Sequence, residues 1–277
     1  MTDDINDGAG RQQRGIQSFD STGQLLSALV AAGRPLPLRD LAQAAGMAPA
    51  KAFPHLVSLQ KIGLVGRDAA GNFLSGPLSL ELGLIALQRL SPTREAEPEV
   101  IRLAADTGLS VAMAVSGPLG PTVVRLEEAA RPQHVSLRVG TVLSLVNTAI
   151  GRVVAAHIPE NTLLGLLAQD GLRMAGASSA EVLEADARGR PALTAAYAAR
   201  LARVRADVMD NAQSRPVPGI DTLAAPVFDH TGSLALVIAV MGSSGSFDSS
   251  IDGETTANVV RQAARRLSWR FGAPGEG

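Results

Sequence analysis

The sequence contains no cysteine, and this absence excludes several classes of protein at once. Without thiols the chain has no disulfide scaffold, no cysteine-ligated zinc site, no iron–sulfur cluster and no thiol nucleophile. Aromatic residues are scarce, at 3% of the 277 residues, so leucine, valine, isoleucine and alanine must fill the core. Apolar residues make up 46% of the chain, which is ample for a buried core and excludes an intrinsically disordered protein.

Long apolar runs are absent as well. No run approaches the roughly 18 residues that a membrane-spanning helix needs. The first ten residues are acidic and polar, not a basic stub followed by an apolar stretch. We therefore expect a soluble, cytoplasmic protein that does not engage a membrane, and the length predicts about two domains.

Positive charge is concentrated near the N-terminus, although the whole chain has a net charge of −1. Residues 11–76 contain seven basic and three acidic side chains, whereas the remainder to residue 277 contains 18 basic and 20 acidic ones. Both lysines, Lys51 and Lys61, lie in the basic part. This asymmetry indicates a polyanion partner for the N-terminal part, with a solvated surface of mixed charge as the alternative.

The N-terminal part has the pattern of a winged helix-turn-helix. Apolar spacing predicts helices over Ser18–Ala32, Leu38–Ala45 and Pro49–Ile62, with a tight turn at Gly46. Two short extended runs around Ala69–Asn72 then predict a hairpin. A small three-helix bundle with a β-ribbon is the alternative. The next segment, Pro77–Leu90, predicts a helix that is apolar on much of its circumference, so it buries a face against a second subunit or against its own domain.

The rest of the chain alternates strands with helices, which predicts a central antiparallel sheet flanked by helices and an α+β fold. The predicted strands are 109–115, 122–127, 135–138, 142–145, 220–228 and 233–241. The predicted helices are 95–105, 148–157, 162–169, 180–188, 193–208 and 251–271.

An enzyme is disfavoured because no catalytic constellation is visible. The four histidines are isolated, and the sequence has no His-Glu-x-x-His, Gly-x-Ser-x-Gly or Walker-type phosphate loop. We therefore predict no catalytic residues, no metal site and no cofactor. A binding protein is the favoured class.

Short phrases along both halves resemble one family, the IclR-type transcriptional regulators. In the first half these are Gly15-Ile16-Gln17-Ser18, the stretches 37–42, 46–52 and 56–59, Gly63-Leu64-Val65, Gly76-Pro77 and 80–83. In the second half they are Leu137-Arg138-Val139-Gly140, Asn147 to Arg152, Pro218-Gly219-Ile220 and Ala224 to Asp229 with Thr231-Gly232. The order and spacing of these phrases, from about Gly15 to Arg270, carry the resemblance.

The resemblance implies a ligand-responsive regulator with four segments. These are a flexible arm at 1–14, a winged helix-turn-helix at 15–76, a linker helix at 77–93 and a GAF-like effector-binding domain at 94–272. It also implies a homodimer or tetramer that binds double-stranded DNA at a pseudo-palindromic operator and senses a small molecule. A ligand-sensing or interaction module with weakened DNA binding is the alternative function.

The resemblance places the start of the third helix in the major groove, where a lysine binds a phosphate or a guanine edge. The expected DNA-binding residues are Arg14, Arg39, Pro49, Ala50, Lys51, Phe53, His55, Arg67 and Asn72. Pro54 departs from the family, whose members usually carry a polar or basic residue there. Because proline disrupts a helix interior, the helix is either kinked or begins later, and both outcomes weaken base-specific contact.

The expected effector site lies between the helix that begins near Thr148 and the late hairpin. Free backbone N–H groups at a helix N-terminus bind anions, so an acidic ligand is expected. Some relatives that bind carboxylates carry serines on the second hairpin strand, where this chain has Ala239 and Met241, so an apolar organic acid is favoured. The expected residues are Asn147, Thr148, Ala149, Gly151, Ile220, Thr222, Ala239 and Met241.

Overall fold

The computed structural model describes residues 16–89, 91–129, 137–253 and 255–274, without the side chains of residues 17 and 86–89. The predicted arm at 1–14, Arg14 included, and the start of the predicted strand at 135–138 lie outside these residues. The described chain divides into two compact units, one up to Arg89 and one after it. Among the described residues, no helix is both long and apolar enough to cross a membrane.

The N-terminal unit is a winged helix-turn-helix followed by one further helix. Its elements are α1 (Gln17–Ala32), α2 (Leu38–Ala44), α3 (Pro49–Lys61), β1 (Val65–Arg67), β2 (Phe73–Ser75) and α4 (Pro77–Arg89). Gly46 lies in the turn between α2 and α3 with φ of +67°, a conformation that glycine adopts without a steric penalty. The core of this unit is aliphatic apart from Phe73 and contains Leu25, Leu36, Leu41, Ala42, Ala52, Leu56, Leu59 and Val65.

The C-terminal unit is a five-stranded antiparallel sheet with helices on both faces. Its helices are α5 (Pro92–Thr107), α6 (Ala149–His157), α7 (Glu160–Leu167), α8 (Ala195–Asp207) and α9 (Thr256–Arg270). Its strands are β3 (Ser110–Gly117), β4 (Gly120–Glu127), β5 (Leu183–Ala185), β6 (Pro191–Leu193), β7 (Asp210–Ala212), β8 (Ile220–Phe228) and β9 (Leu234–Ser243). The sheet order is β4-β3-β9-β8-β7, and β5 pairs with β6 in a separate hairpin.

Burial of the sheet on both faces explains why β9 is almost continuously apolar. Val237, Ala239 and Met241 pack in the core that contains α6 and α8. The alternate residues Leu236, Ile238 and Val240 pack in the core that contains α5 and α9. The predicted α+β architecture is therefore confirmed, with the helices α6 and α8 covering the face that carries the candidate site.

Two predicted elements are wrong. Residues 180–188, predicted as a helix, form a short 3₁₀ turn and strand β5, because the carboxylate of Asp186 accepts the backbone N–H groups of Arg188 and Arg190 and closes a hairpin turn. The predicted strand at 142–145 is absent, because Val142 and Leu143 form only isolated bridges. Of the predicted strand at 135–138, the structure describes only residues 137 and 138, which are not in a strand. Strand β7 was not predicted.

Candidate functional site

The exposed start of α3 carries most of the predicted DNA-binding side chains. Pro49, Ala50 and Lys51 form the first turn and are exposed, and Phe53 is 45% exposed on the following turn. Arg39 of α2 is exposed and lines the same surface groove as Pro49, across the turn between the helices. The structure thus brings together Arg39 and the first turn of α3 on one accessible face.

Helix α3 runs through Pro54 without interruption. The helix begins at Pro49, so the expected alternative of a later start is wrong. Pro54 has no backbone N–H, and the hydrogen bond that this position would donate to the carbonyl of Ala50 is therefore missing. The carbonyl of Pro54 itself is satisfied, because it accepts the hydroxyl of Ser58 at 3.0 Å.

His55 is directed towards α1. Its Nδ1 lies 2.8 Å from the hydroxyl oxygen of Thr22, and the ring is half-buried. This hydrogen bond joins α3 to α1, so the imidazole is less available to DNA than the side chains before it.

The two predicted residues of the wing differ in their surroundings. The guanidinium of Arg67 is exposed and lies 4.3 Å from the centre of the Phe73 ring, a cation–π contact that fixes its stem on the hairpin. Asn72 donates its backbone N–H and its side-chain amide to the carboxylate of Asp68, at 2.8 and 3.0 Å. These bonds lower the pKa of Asp68 and close the turn, so the Asn72 side chain has a structural role.

A predominantly apolar cavity lies in the C-terminal unit between α6 and β8. Five of the predicted effector residues line it: Thr148, Ala149, Ile220, Thr222 and Met241. The other lining residues were not predicted as effector residues and are Leu137, Leu143, Ile150, Met174, Ala212, Arg215, Pro216 and Val217.

Three further predicted residues do not line this cavity. Asn147 lines a neighbouring open cleft, and its side-chain amide donates to the carbonyl of Ala175 at 2.9 Å. Ala239 is fully buried in the core. Gly151 is required for packing, since a Cβ at this position would lie 1.8 Å from the carbonyl oxygen of Ser144.

The N-terminus of α6 keeps part of the expected anion-binding capacity. The N–H of Gly151 is not free, because it donates to the hydroxyl of Thr148 at 2.9 Å in an N-cap. Among the described residues, the N–H groups of Ala149 and Ile150 have no protein acceptor, and both residues line the cavity. These two groups are available to an acceptor in the cavity.

A buried carboxylate holds the loop that precedes α6. Asp170 accepts the hydroxyl of Ser144 at 2.6 Å, the N–H of Leu145 at 2.8 Å and the N–H of Ala177 at 3.0 Å. The hydroxyl of Tyr197 donates to the carbonyl of Leu145 at 2.9 Å, and burial raises the pKa of Tyr197, which keeps this donor protonated. The cavity wall around Thr148 is therefore rigidly positioned.

The open cleft beside the cavity contains three arginines, Arg152, Arg200 and Arg215. Arg152 binds Asp210 at 2.5 Å and also donates to the backbone carbonyls of Val146 and Asn211. Arg200 binds the other carboxylate oxygen of Asp210. The fully buried Asp210 is thus paired with two of the three guanidinium groups.

The loop between β7 and β8 separates the cavity from the cleft. Ala212, Arg215 and Pro216 line both spaces, and the peptide bond between Arg215 and Pro216 is cis. Asp221 holds this loop, because its carboxylate accepts the N–H of Ser214 at 2.8 Å and the hydroxyls of Ser244 and Ser249 at 2.6 and 2.9 Å.

The substitution Asp221→Asn is expected to make the stability of this unit less dependent on acid pH. Burial opposes ionisation of Asp221, but its hydrogen bonds outweigh burial and hold its pKa below the ordinary value of 3.8. A lowered native pKa contributes stability at pH values above the unfolded-state pKa, and this contribution is lost as the pH falls through the native pKa. We expect the variant to lose about 1–2 kcal/mol at pH 7, with the difference narrowing below about pH 4.

Urea unfolding followed across this pH range measures the difference. The exposed Asp207, changed to asparagine, provides the matched control, for which no comparable change is expected. A difference between wild type and Asp221→Asn that stays constant down to pH 3 would contradict the assigned role of the ionised carboxylate.

Comparisons with known proteins find the same family in both halves of the chain. A family model of the bacterial transcriptional regulator IclR C-terminal domain matches residues 85–269, and a model of the IclR helix-turn-helix domain matches residues 20–69. The crystal structure of Pseudomonas aeruginosa HmgR is 30% identical, covers 94% of this chain and all of its own, and superposes with a TM-score of 0.78.

Two named relatives match at similar length. The glycerol operon regulatory protein of Streptomyces coelicolor is 26% identical over 271 residues, which are 94% of this chain and 98% of that protein. The HTH-type transcriptional regulator BhcR of Paracoccus denitrificans is 27% identical over 264 residues, which are 92% of this chain and 87% of that protein.

A helix-turn-helix unit followed by a mixed α/β unit with an internal cavity defines a DNA-binding transcriptional regulator. The chain belongs to the IclR family of transcriptional regulators, as its sequence phrases indicate. The relatives are regulators and not enzymes, which agrees with the lack of a catalytic constellation in the sequence.

Proposed function

We propose that this protein binds a pseudo-palindromic operator in double-stranded DNA and responds to a small, predominantly apolar organic acid. The observation that supports the effector class is the cavity beside α6. Its only polar lining side chains, among the described residues, belong to Thr148, Thr222 and Arg215. An acid fits this composition because its apolar body is buried, while its carboxylate is bound by donors of the lining, either the N–H groups at the helix start or the guanidinium of Arg215.

The DNA-binding part of the proposal rests on the exposed first turn of α3. Lys51 is exposed at the third position of the helix, and Arg39 lies on the facing helix across the turn. Recognition helices of helix-turn-helix proteins contact base edges with their N-terminal residues, and nearby cations bind the phosphates. We therefore assign Arg39, Pro49, Ala50, Lys51 and Phe53 to the DNA-contacting face.

Footprinting on the DNA upstream of the protein's own gene tests the proposal. At fixed salt and with excess non-specific competitor, we expect a protected pseudo-palindrome whose protection changes when a small apolar acid is added. If the wild-type protein is folded and dimeric but protects no DNA segment, the alternative function is favoured. That alternative is a ligand-sensing or interaction module with weakened DNA binding, which the position of Pro54 inside α3 supports.

Replacing Lys51 by alanine is expected to weaken operator binding by about tenfold or more and to reduce the salt slope by about one. The reason is the loss of a cation that is exposed where α3 begins. The other lysine, Lys61, is the matched control, because it is also exposed but ends the same helix about 15 Å away. Fluorescence anisotropy with labelled operator at several salt concentrations measures both effects.

The variant Pro54→Arg is expected to change operator affinity in the opposite sense to Lys51→Ala. It restores a backbone donor in α3 and adds a cation, so operator affinity is expected to rise. Unchanged affinity in both Lys51→Ala and Pro54→Arg would exclude α3 as the DNA-reading helix.

A further inference from the structure

We propose that Arg215 determines the charge specificity of the effector by binding its anionic group where the cavity meets the cleft. The inference rests on the proposed function, since it concerns the ligand of the same cavity. The effector would then be an amphiphilic acid with its apolar body among the aliphatic side chains and its carboxylate at the guanidinium of Arg215.

Arg215 differs from the other arginines of the cleft in its interaction partners. Arg152 and Arg200 are paired with Asp210. Arg215 forms no hydrogen bond or ion pair with any residue in the described part of the chain. Glu181, which also lines the cleft, accepts the backbone N–H of Ser178 at 2.9 Å as part of a capping box. Arg215 is therefore the cleft arginine that shares its charge with no carboxylate in the described part of the chain, and its donors are available to a ligand.

The position of Arg215 suits a ligand with one charged end. It lines both the cavity and the cleft, and it is the only ionisable side chain among the described residues that line the cavity. A carboxylate drawn into an apolar cavity loses hydration and must be compensated by a cation or by strong donors. A guanidinium supplies two parallel donors to a carboxylate and keeps its charge at any physiological pH.

The backbone around Arg215 is fixed before a ligand arrives. The N–H of Ser214 donates to Asp221 at 2.8 Å, and the hydroxyls of Ser214 and Ser244 are 2.7 Å apart. On the other side of the loop, the N–H of Ser244 donates to the carbonyl of Gly219 at 2.8 Å. A held backbone limits the entropy lost when the exposed side chain closes on an anion.

Isothermal titration calorimetry on the full chain tests the inference with matched probes, namely benzoate, phenylacetate and cyclohexanecarboxylate and their primary amides. We expect the wild-type protein to prefer each acid that it binds over the corresponding amide. The variant Arg215→Ala should weaken acid binding by about tenfold to a hundredfold and leave amide binding unchanged. Arg215→Lys should recover part of the acid affinity, because it keeps the charge but not the paired donors.

The matched control is Arg188→Ala, which removes an exposed arginine of the same unit that lines neither space. It should leave the preference for acids intact. Equal acid binding by wild type and Arg215→Ala would overturn the inference alone. A wild-type protein that binds neither acids nor amides would overturn both the inference and the effector class proposed above, while its operator footprint would still test the DNA-binding part separately.

Discussion

Replacing Leu80 and Leu84 by aspartate is expected to convert the protein to a monomer and to reduce operator affinity by about a hundredfold or more. Both residues lie on α4, where Leu80, Leu82, Leu84 and Ile85 are each at least half exposed. Leu80 and Leu84 are four residues apart and therefore share one face of the helix, where they form an exposed apolar surface, whereas Leu82 lies on the opposite face. We propose that a second copy of α4 covers the surface of Leu80 and Leu84.

The effect on DNA binding follows from the symmetry of the proposed operator. A dimer engages two half-sites, so the second half binds as if at a high local concentration. A monomer keeps only one half-site, and its affinity falls accordingly. Charged residues on the apolar surface add repulsion between the copies, which makes the disruption more complete than alanine would.

Light scattering combined with size-exclusion chromatography measures the mass, and anisotropy measures operator affinity. Leu172→Asp is the matched control, because Leu172 is 87% exposed in the C-terminal unit and is not part of this surface. It should leave mass and affinity unchanged. A double variant that stays dimeric, or a wild-type protein that is monomeric at micromolar concentration, would contradict the assignment of α4.

The sequence predicted the N-terminal unit almost completely because its signals are local. Helix α1 has apolar residues at helical spacing and ends at Gly33, which adopts a φ of +61°. The hairpin has two apolar runs around a turn that Asp68 and Asn72 close. Each of these features depends on residues within a few positions of one another, so a pattern along the chain is sufficient to detect it.

The C-terminal unit shows where local patterns are insufficient. The segment around Asp186 has helix-forming residues, but side-chain hydrogen bonds to the turn and pairing of Leu183 with Leu193 favour a hairpin. Strand β7 begins with a polar Asp-Asn pair, which gives no apolar alternation. Asp210 is buried there only because Arg152 and Arg200, ten and more residues away, reach it.

Only part of the cavity lining was predicted, for the same reason. Thr148 and Ile220 belong to phrases that resemble the family pattern. Arg215 lies in the loop that begins after β7, and its position depends on hydrogen bonds of Asp221 that no sequence spacing reveals. The sequence signal for this residue was an arginine directly before Pro216 in a loop segment. Arg215 becomes a candidate ligand-binding residue only once the structure shows that Arg152 and Arg200 are paired with Asp210.

Changing Asp210 to alanine is expected to lower the free energy of unfolding of the C-terminal unit by about 3–5 kcal/mol. Asp210 is fully buried, and the side chain of Arg152 is only 11% exposed, so the substitution leaves a nearly buried guanidinium without its carboxylate. Arg200 is 34% exposed and can be hydrated once Asp210 is removed. Urea unfolding of wild type and variant measures the loss, and Arg200→Ala is the control with an expected cost of about 1 kcal/mol.

A compensated variant separates the cost of an unpaired charge from the value of the ion pair. Burial raises the pKa of Asp210 even though Arg152 and Arg200 oppose the shift, so the two arginines do not fully offset the cost of burying the carboxylate. Replacing a buried ion pair by apolar side chains of similar volume is often neutral or stabilising. The double variant Arg152→Met with Asp210→Leu is therefore expected to regain most of the lost stability. A double variant as unstable as Asp210→Ala would contradict this view and show that the ion pair itself stabilises the unit.

The double variant Arg152→Met with Asp210→Leu also tests a role of Arg152 in ligand binding. Arg152 donates to the carbonyl of Val146, before α6, and to the carbonyl of Asn211, in β7. It therefore joins the elements that carry two walls of the cavity. If this connection maintains the cavity, the compensated variant will be stable but will bind an acidic probe more weakly than wild type, because a methionine cannot donate to either carbonyl. Equal affinity of the wild type and the double variant for the acidic probe would show that the cavity keeps its shape through side-chain packing, without the hydrogen bonds of Arg152.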